Sequence, residues 1–223
     1  MKHWDVCGRT RTADGSELTL TSDGSEYLLS ANGRPLMSSR MHGSEEALAI
    51  IGCGRAATLP RPRVLVGGLG MGFTLRAALD VLPSTAEVMT AEVVPAVVEW
   101  NLGPLGALAK YPLNDPRVRI EVGDVGATMR ANRGGFDAVL LDVDNGPVAL
   151  VDSSNAQLYG ARGVAVARAS LAPRGVLAVW SVNDVPGFER RLRAAGFIVR
   201  REHVRGRLKQ GGPRHTILVA EAP

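Results

Sequence analysis

The chain is poor in aromatic residues and in cysteine. Only 4% of its 223 residues are Phe, Trp or Tyr, so Val, Leu, Ala and Ile must build most of the core. Two cysteines, Cys7 and Cys53, form no CxxC and have no His partner at metal spacing; no metal site is expected. Cys53 closes an apolar helical stretch and reads as a small core residue. The first residues, MKHWDVCGRT, carry no apolar signal-peptide core, and no run reaches the length of a membrane span. The expectation is a soluble cytoplasmic protein without a membrane partner. Low-complexity tracts and internal repeats are lacking too.

What is present points to an α/β protein. A hydrophobic fraction of 45% over this length suits one domain with a small appendage. The formal charge is +4, with Arg190, Arg191, Arg193, Arg200, Arg201, Arg205, Arg207 and Lys209 clustered late in the chain. No aromatics interleave with them as in a base-stacking platform, so the cluster reads as a solvated face, and no nucleic acid partner is expected.

Residues 17–37 read as short antiparallel strands, with Asn32-Gly33 as a hairpin signal. Glu45 and Glu46 suit the first turn of a helix over about 44–53. Strands and helices then alternate. Strands are predicted at 63–66, 87–91, 118–122, 136–141 and 176–181. Helices are predicted up to Leu82, over 94–108, up to Arg130, over 158–171 and over 186–195. Two closing strands, 197–204 and 215–220, read as a hairpin. Such alternation predicts a Rossmann-like, mostly parallel sheet with helices on both faces. The expected organisation is an N-terminal β cap with linking helix, 1–55, and a nucleoside-binding domain, 56–223.

The loop after the first parallel strand carries Gly68, Gly70 and Gly72. It follows a strand and opens a helix, where missing Cβ atoms let backbone approach a ligand. Glu92 lies 20 residues past Gly72 at the next strand end, placed to accept both ribose hydroxyls. Asp124 ends the third strand, where a carboxylate can face a base or cap a helix. Asp142 ends the fourth. No GxxxxGK[ST] sequence or nearby lysine is present to hold a triphosphate. The glycines with Glu92 alone also fit NAD. Three acids at the edge favour a cofactor with a base, a ribose and a positively charged sulfur over a pyrophosphate.

These residues are similar to those of the spermidine synthase (aminopropyltransferase) family. The resemblance runs through Ser38–Glu46, Gly70, Gly72, Thr74-Leu75-Arg76, Asp115–Val118, Gly123-Asp124, Phe136–Val139, Asp142–Pro147 and Leu158-Tyr159. It implies an N-terminal β domain on a class I methyltransferase-like Rossmann domain. It also implies S-adenosylmethionine or its decarboxylated form as donor, an amine as acceptor and, as in many members, a homodimer. Glu92 resembles the ribose-binding acid, Asp124 the adenine-side acid and Asp142 the acid that deprotonates the amine. Residues 143–157 resemble the loop closing the site. Two positions differ from the family pattern: Met71 replaces the acid that meets the amino end of the donor, and Asn145 replaces an acid near the acceptor. Asp144 is an added acid, read as a second catalytic candidate. Asn145 and Tyr159 are candidate acceptor contacts.

The expected activity is therefore transfer of an aminopropyl or other alkyl group to an amine. An S-adenosylmethionine-dependent methyltransferase and a non-catalytic nucleoside-binding protein are the alternatives.

Overall fold

The computed structural model describes residues 3–143, 146–148, 157–207 and 211–223. The chain opens with a four-stranded antiparallel sheet in the order β1-β2-β3-β4. Its strands are β1 (Asp5–Arg11), β2 (Glu17–Ser22), β3 (Tyr27–Ala31) and β4 (Arg34–Ser38). The tight turn at Asn32-Gly33, both at positive φ, joins β3 to β4 as its sequence required. β2 alternates half-buried and buried residues, the pattern of a strand with one face on a core. β1 was not foreseen: DVCGRTR is mostly exposed and lacks that alternation.

Helix α1 (Gly43–Gly52) follows. It packs on the larger sheet. A side chain at Gly52 would collide with Leu140 and Ala178 of that sheet.

The larger sheet has seven strands in the order β10-β11-β9-β8-β5-β6-β7. They are β5 (Arg63–Gly67), β6 (Glu87–Glu92), β7 (Val118–Val122), β8 (Phe136–Leu141), β9 (Leu171–Ser181), β10 (Ile198–Arg207) and β11 (Gly211–Glu221). The five strands β5–β9 run parallel, and β11 pairs antiparallel with β9 and β10. This is the expected Rossmann-like, methyltransferase-like sheet. β5 and β8 are almost wholly buried runs, as central parallel strands covered on both faces must be.

The connecting helices are α2 (Phe73–Val81), α3 (Pro95–Leu102), α4 (Val125–Ala131), α5 (Ala161–Ser170) and α6 (Pro186–Ala194). The helix expected over 94–108 stops at Leu102 because Gly103-Pro104 breaks it; a short 3-10 turn, Gly106–Ala109, replaces the remainder. Two apolar cores cover the sheet's faces. One lies under α1, α2 and the N-terminal strands, with Leu48, Leu75, Leu140 and Cys53 fully buried. The other lies under α4, α5 and α6. Arg117 clamps the edge by bonding Asp115 and the carbonyls of Leu82 and Pro83.

Candidate functional site

A line of backbone hydrogen bonds runs across the carboxyl edge of the sheet. Asp142 N donates to Gly67 O at 2.8 Å, Gly68 N to Ala91 O at 2.9 Å, and Gly123 N to Glu92 O at 2.9 Å. The ends of β8, β5, β6 and β7 are thereby tied side by side. Asp142 and Asp124 stand three interstrand steps apart, about 14 Å. That span accommodates a base, a ribose and a sulfonium chain laid across the strand ends.

The glycine loop is shaped by its own protein neighbours. Gly68, Gly70 and Gly72 all have positive φ, a conformation that disfavours a side chain. A Cβ at Gly68 would strike the Asp142 carbonyl; at Gly70 it would come within 2.9 Å of the Met37 methyl, and at Gly72 within 2.9 Å of Asn101 Oδ1. Asn101, 1% exposed, donates to Gly70 O at 2.8 Å and Val97 O at 2.9 Å. Met71 is 1% exposed and belongs to the apolar core. Its side chain packs in that core.

Glu92 is buried, with 8% exposure. Its Oε2 accepts from Leu69 N at 3.0 Å and its Oε1 from Val94 N at 2.9 Å. Burial raises its pKa, and the backbone amides of Leu69, Val94, Gly70 and Val93 oppose that rise. Each carboxylate oxygen has further lone-pair capacity, so holding the loop and accepting ribose hydroxyls are compatible. Asp124 is exposed and caps α4, accepting from Ala127 N at 2.8 Å; Arg130 lies 3.3 Å away. The helix-cap role foreseen for it is present.

Asp142 accepts a hydrogen bond from Thr74 Oγ1 at 2.5 Å. Burial raises its pKa from the ordinary 3.8 to about 6, with the Thr74 bond opposing. Facing it from the first turn of α1 is Glu45, 8% exposed. Burial, and then the charge of Asp142, raise Glu45 from 4.5 to about 7. Ser44 Oγ donates to Glu45 Oε2 at 2.6 Å, and Thr74 Oγ1 lies 3.4 Å from the Glu45 carbonyl. The sequence reading assigned Glu45 only to the helix dipole. Its burial arises from α1 packing on α2 and β8, which no local signal revealed.

Asp144 and Asn145 lie outside the described residues, as does most of the expected closing loop. Tyr159 is 2% exposed, edge-on to Phe188 at 5.4 Å, with its hydroxyl 3.5 Å from the Val143 carbonyl. It braces the backbone just past Asp142. His42 pairs with Glu46 at 2.6 Å and stacks on Phe73.

The sheet order defines a Rossmann-like, class I methyltransferase-like fold, with Glu92, Asp124 and Asp142 at its carboxyl edge. Comparison with known proteins finds likenesses among spermidine synthases and a methyltransferase. Spermidine synthase from Thermotoga maritima superposes with a TM-score of 0.76 at 18% identity, covering 98% of this chain and 73% of that one. A spermidine synthase in complex with the transition-state analogue AdoDATO gives 0.75 at 17% identity, covering 98% and 72%. The polyamine aminopropyltransferase of Mycobacterium tuberculosis is 29% identical over 150 residues, 63% of this chain. The match spans only 28% of that relative's length. No protein-family model matches the chain.

Proposed function

We propose that the protein is an aminopropyltransferase-like enzyme that moves an aminopropyl or other alkyl group from an S-adenosylmethionine-type donor to an amine. The observation that carries this reading is Asp142: a carboxylate of raised proton affinity at the end of β8, accepting from Thr74 Oγ1, with its backbone N–H donating to the Gly67 carbonyl beside the glycine loop. An alkyl ammonium has a solution pKa of about 10.4 and must lose a proton to attack. A carboxylate placed beside the electrophile orients the amine and accepts that proton. Glu92 would hold the ribose and Asp124 the adenine edge. Attack along the carbon–sulfur axis forms the new C–N bond, and the sulfur leaves as a neutral thioether. The likeness to spermidine synthases over nearly the whole chain supports the same assignment. The donor need carry no metal.

Met71 favours a second reading. Where the family has an acid toward the amino end of the donor, this chain has a core methionine, which leaves a donor that keeps its carboxylate unopposed. Methyl transfer from S-adenosylmethionine would use the same crevice. Calorimetry with S-adenosylmethionine, its decarboxylated form and methylthioadenosine separates the readings. Preference for the decarboxylated donor supports aminopropyl transfer, and preference for S-adenosylmethionine supports methyl transfer. Binding without turnover on any amine would leave a nucleoside-binding protein. The homodimer is proposed on the same resemblance, and gel filtration with light scattering tests it.

A further inference from the structure

The chain carries a formal charge of +4. Residues 203–220 hold four Lys or Arg and no Asp or Glu. The remainder of the chain is therefore balanced, and the whole excess charge sits on one hairpin, β10–β11. None of these 18 residues is Phe, Trp or Tyr.

The hairpin reaches past the parallel sheet. β11 pairs with β9 only as far as Thr216 opposite Ser181, where β9 ends. Residues 211–215 of β11 and 204–207 of β10 therefore run on as a two-stranded ribbon, roughly 15 Å beyond the carboxyl edge. Its base is braced: the His215 ring lies 4.8 Å from that of Trp180, and Val204 packs against the α1-side core. Arg205, Arg207 and Arg214 are exposed.

Charge neutralisation stops where the ribbon leaves the sheet. On the sheet, Arg200 pairs with Glu202 and Glu221, and Arg201 with Asp184 and Glu189. On the ribbon, among the described residues, the side chains of Arg205, Arg207 and Arg214 meet no acid and make no hydrogen bond. Arg205 and Arg214 stand directly opposite each other in the ladder, where like charges repel and cost stability. Arg207 follows Arg205 on the same face by the two-residue period. Its ladder partner is Gly211, and a Cβ there would lie 3.7 Å from Arg205 Nη1, so the three side chains share one patch. Guarding an open strand edge against aggregation needs charge, not charge of one sign; mixed signs would serve without the repulsion. A patch of one sign on a projecting ribbon matches a partner with closely spaced anions.

We infer that the β10–β11 ribbon binds the phosphate backbone of a nucleic acid duplex, without reading its sequence. A guanidinium holds phosphate oxygens through paired N–H donors. A two-stranded ribbon fits the major groove of a B-form duplex, about 12 Å wide. The lack of Phe, Trp and Tyr removes the base stacking on which single-strand binding depends. Phosphate contacts need no stacking, so the ribbon suits a duplex better than a single strand. An acidic protein segment is a poorer match, because a duplex presents one charge per roughly 1.7 Å of its axis. The ribbon shares no residue with the proposed transfer site, and its partner does not depend on that reading.

The experiment is fluorescence anisotropy of a labelled DNA duplex of about 20 base pairs, titrated with the full chain between about 20 and about 200 mM NaCl. With three arginines on phosphates, the logarithm of the binding constant should fall against the logarithm of salt with a slope of about −3. Arg205→Gln, Arg207→Gln and Arg214→Gln should each take about one unit off that slope. The triple variant should bind at least about tenfold more weakly at the lowest salt. Arg133→Gln removes an exposed arginine from the α4–β8 connection at the opposite edge of the sheet, and should change neither quantity. A single strand of the same length should bind more weakly than the duplex, and polyglutamate at equal charge should compete poorly. No duplex binding at the lowest salt, or a slope unchanged in the triple variant, overturns the inference. A single strand that binds as tightly as the duplex overturns it as well. Polyglutamate that competes equally would overturn the nucleic acid assignment in favour of an acidic protein.

Discussion

Asp142→Asn should abolish turnover yet make the ligand-free protein more stable. In the wild type, burial holds the carboxyl at about 6 instead of 3.8. Keeping it ionised above that pH costs, at about 1.4 kcal/mol per pH unit, about 3 kcal/mol at most. The asparagine keeps an oxygen for the Thr74 hydroxyl, removes the charge opposite Glu45 and is itself a polar group to bury, so the net gain is about 1–3 kcal/mol. For a chain of this size that is a rise of roughly 3–10 °C in Tm. The sign follows from linkage. The native state binds the proton more tightly than the unfolded chain, so wild-type stability falls as pH rises from about 4 to about 6, and on to about 7 through Glu45. The gain from the variant is therefore full at pH 8 and absent near pH 4. Differential scanning fluorimetry at both pH values, alongside methylthioadenosine titration, reads it. An Asp142→Asn protein that melts at or below the wild-type temperature at pH 8 would refute the claim of a destabilising buried carboxylate. Full retained activity would refute its role as base.

Three other substitutions test the frame of the site. Glu92→Gln turns an acceptor toward the Leu69 or Val94 amide into a donor; urea unfolding should show a loss of about 1.5–3 kcal/mol, with nucleoside binding weakened as well. Gly68→Ala combines a φ of +87° with a collision against the Asp142 carbonyl. It should cost about 2 kcal/mol or more in denaturant unfolding, and an unchanged midpoint would mean that the loop shifts freely. Asp124→Ala removes the α4 cap and should cost about 1 kcal/mol; a drop in methylthioadenosine affinity in Asp124→Asn, which keeps the cap, would assign the carboxylate to the base as well.

The sheet was legible because its central strands are covered on both faces and so appear as apolar runs ending in glycine or acid. Arg63–Val66, Glu87–Ala91 and Phe136–Leu141 fall inside or on the observed strands for this reason. β1 was missed because its residues alternate no hydrophobicity, and it is held through the backbone ladder with β2. The edge acids Glu92, Asp124 and Asp142 were read correctly as strand-end residues, since strand ends are local features. The roles that depend on distant packing were not readable. Gly70 is bare because Met37 of the N-terminal sheet lies over it, and Gly72 because Asn101 does. The burial of Glu45 follows only from α1 settling against the larger sheet. Met71 packs in the core, a placement its motif position did not reveal.

The decisive measurement is a crystal structure of the chain with methylthioadenosine. The nucleoside should lie across the ends of β5, β6 and β7, its ribose hydroxyls on Glu92, its adenine by Asp124 and its sulfur toward Asp142. A nucleoside bound elsewhere, or none bound at saturating concentration, would overturn the assignment of this edge as the donor site.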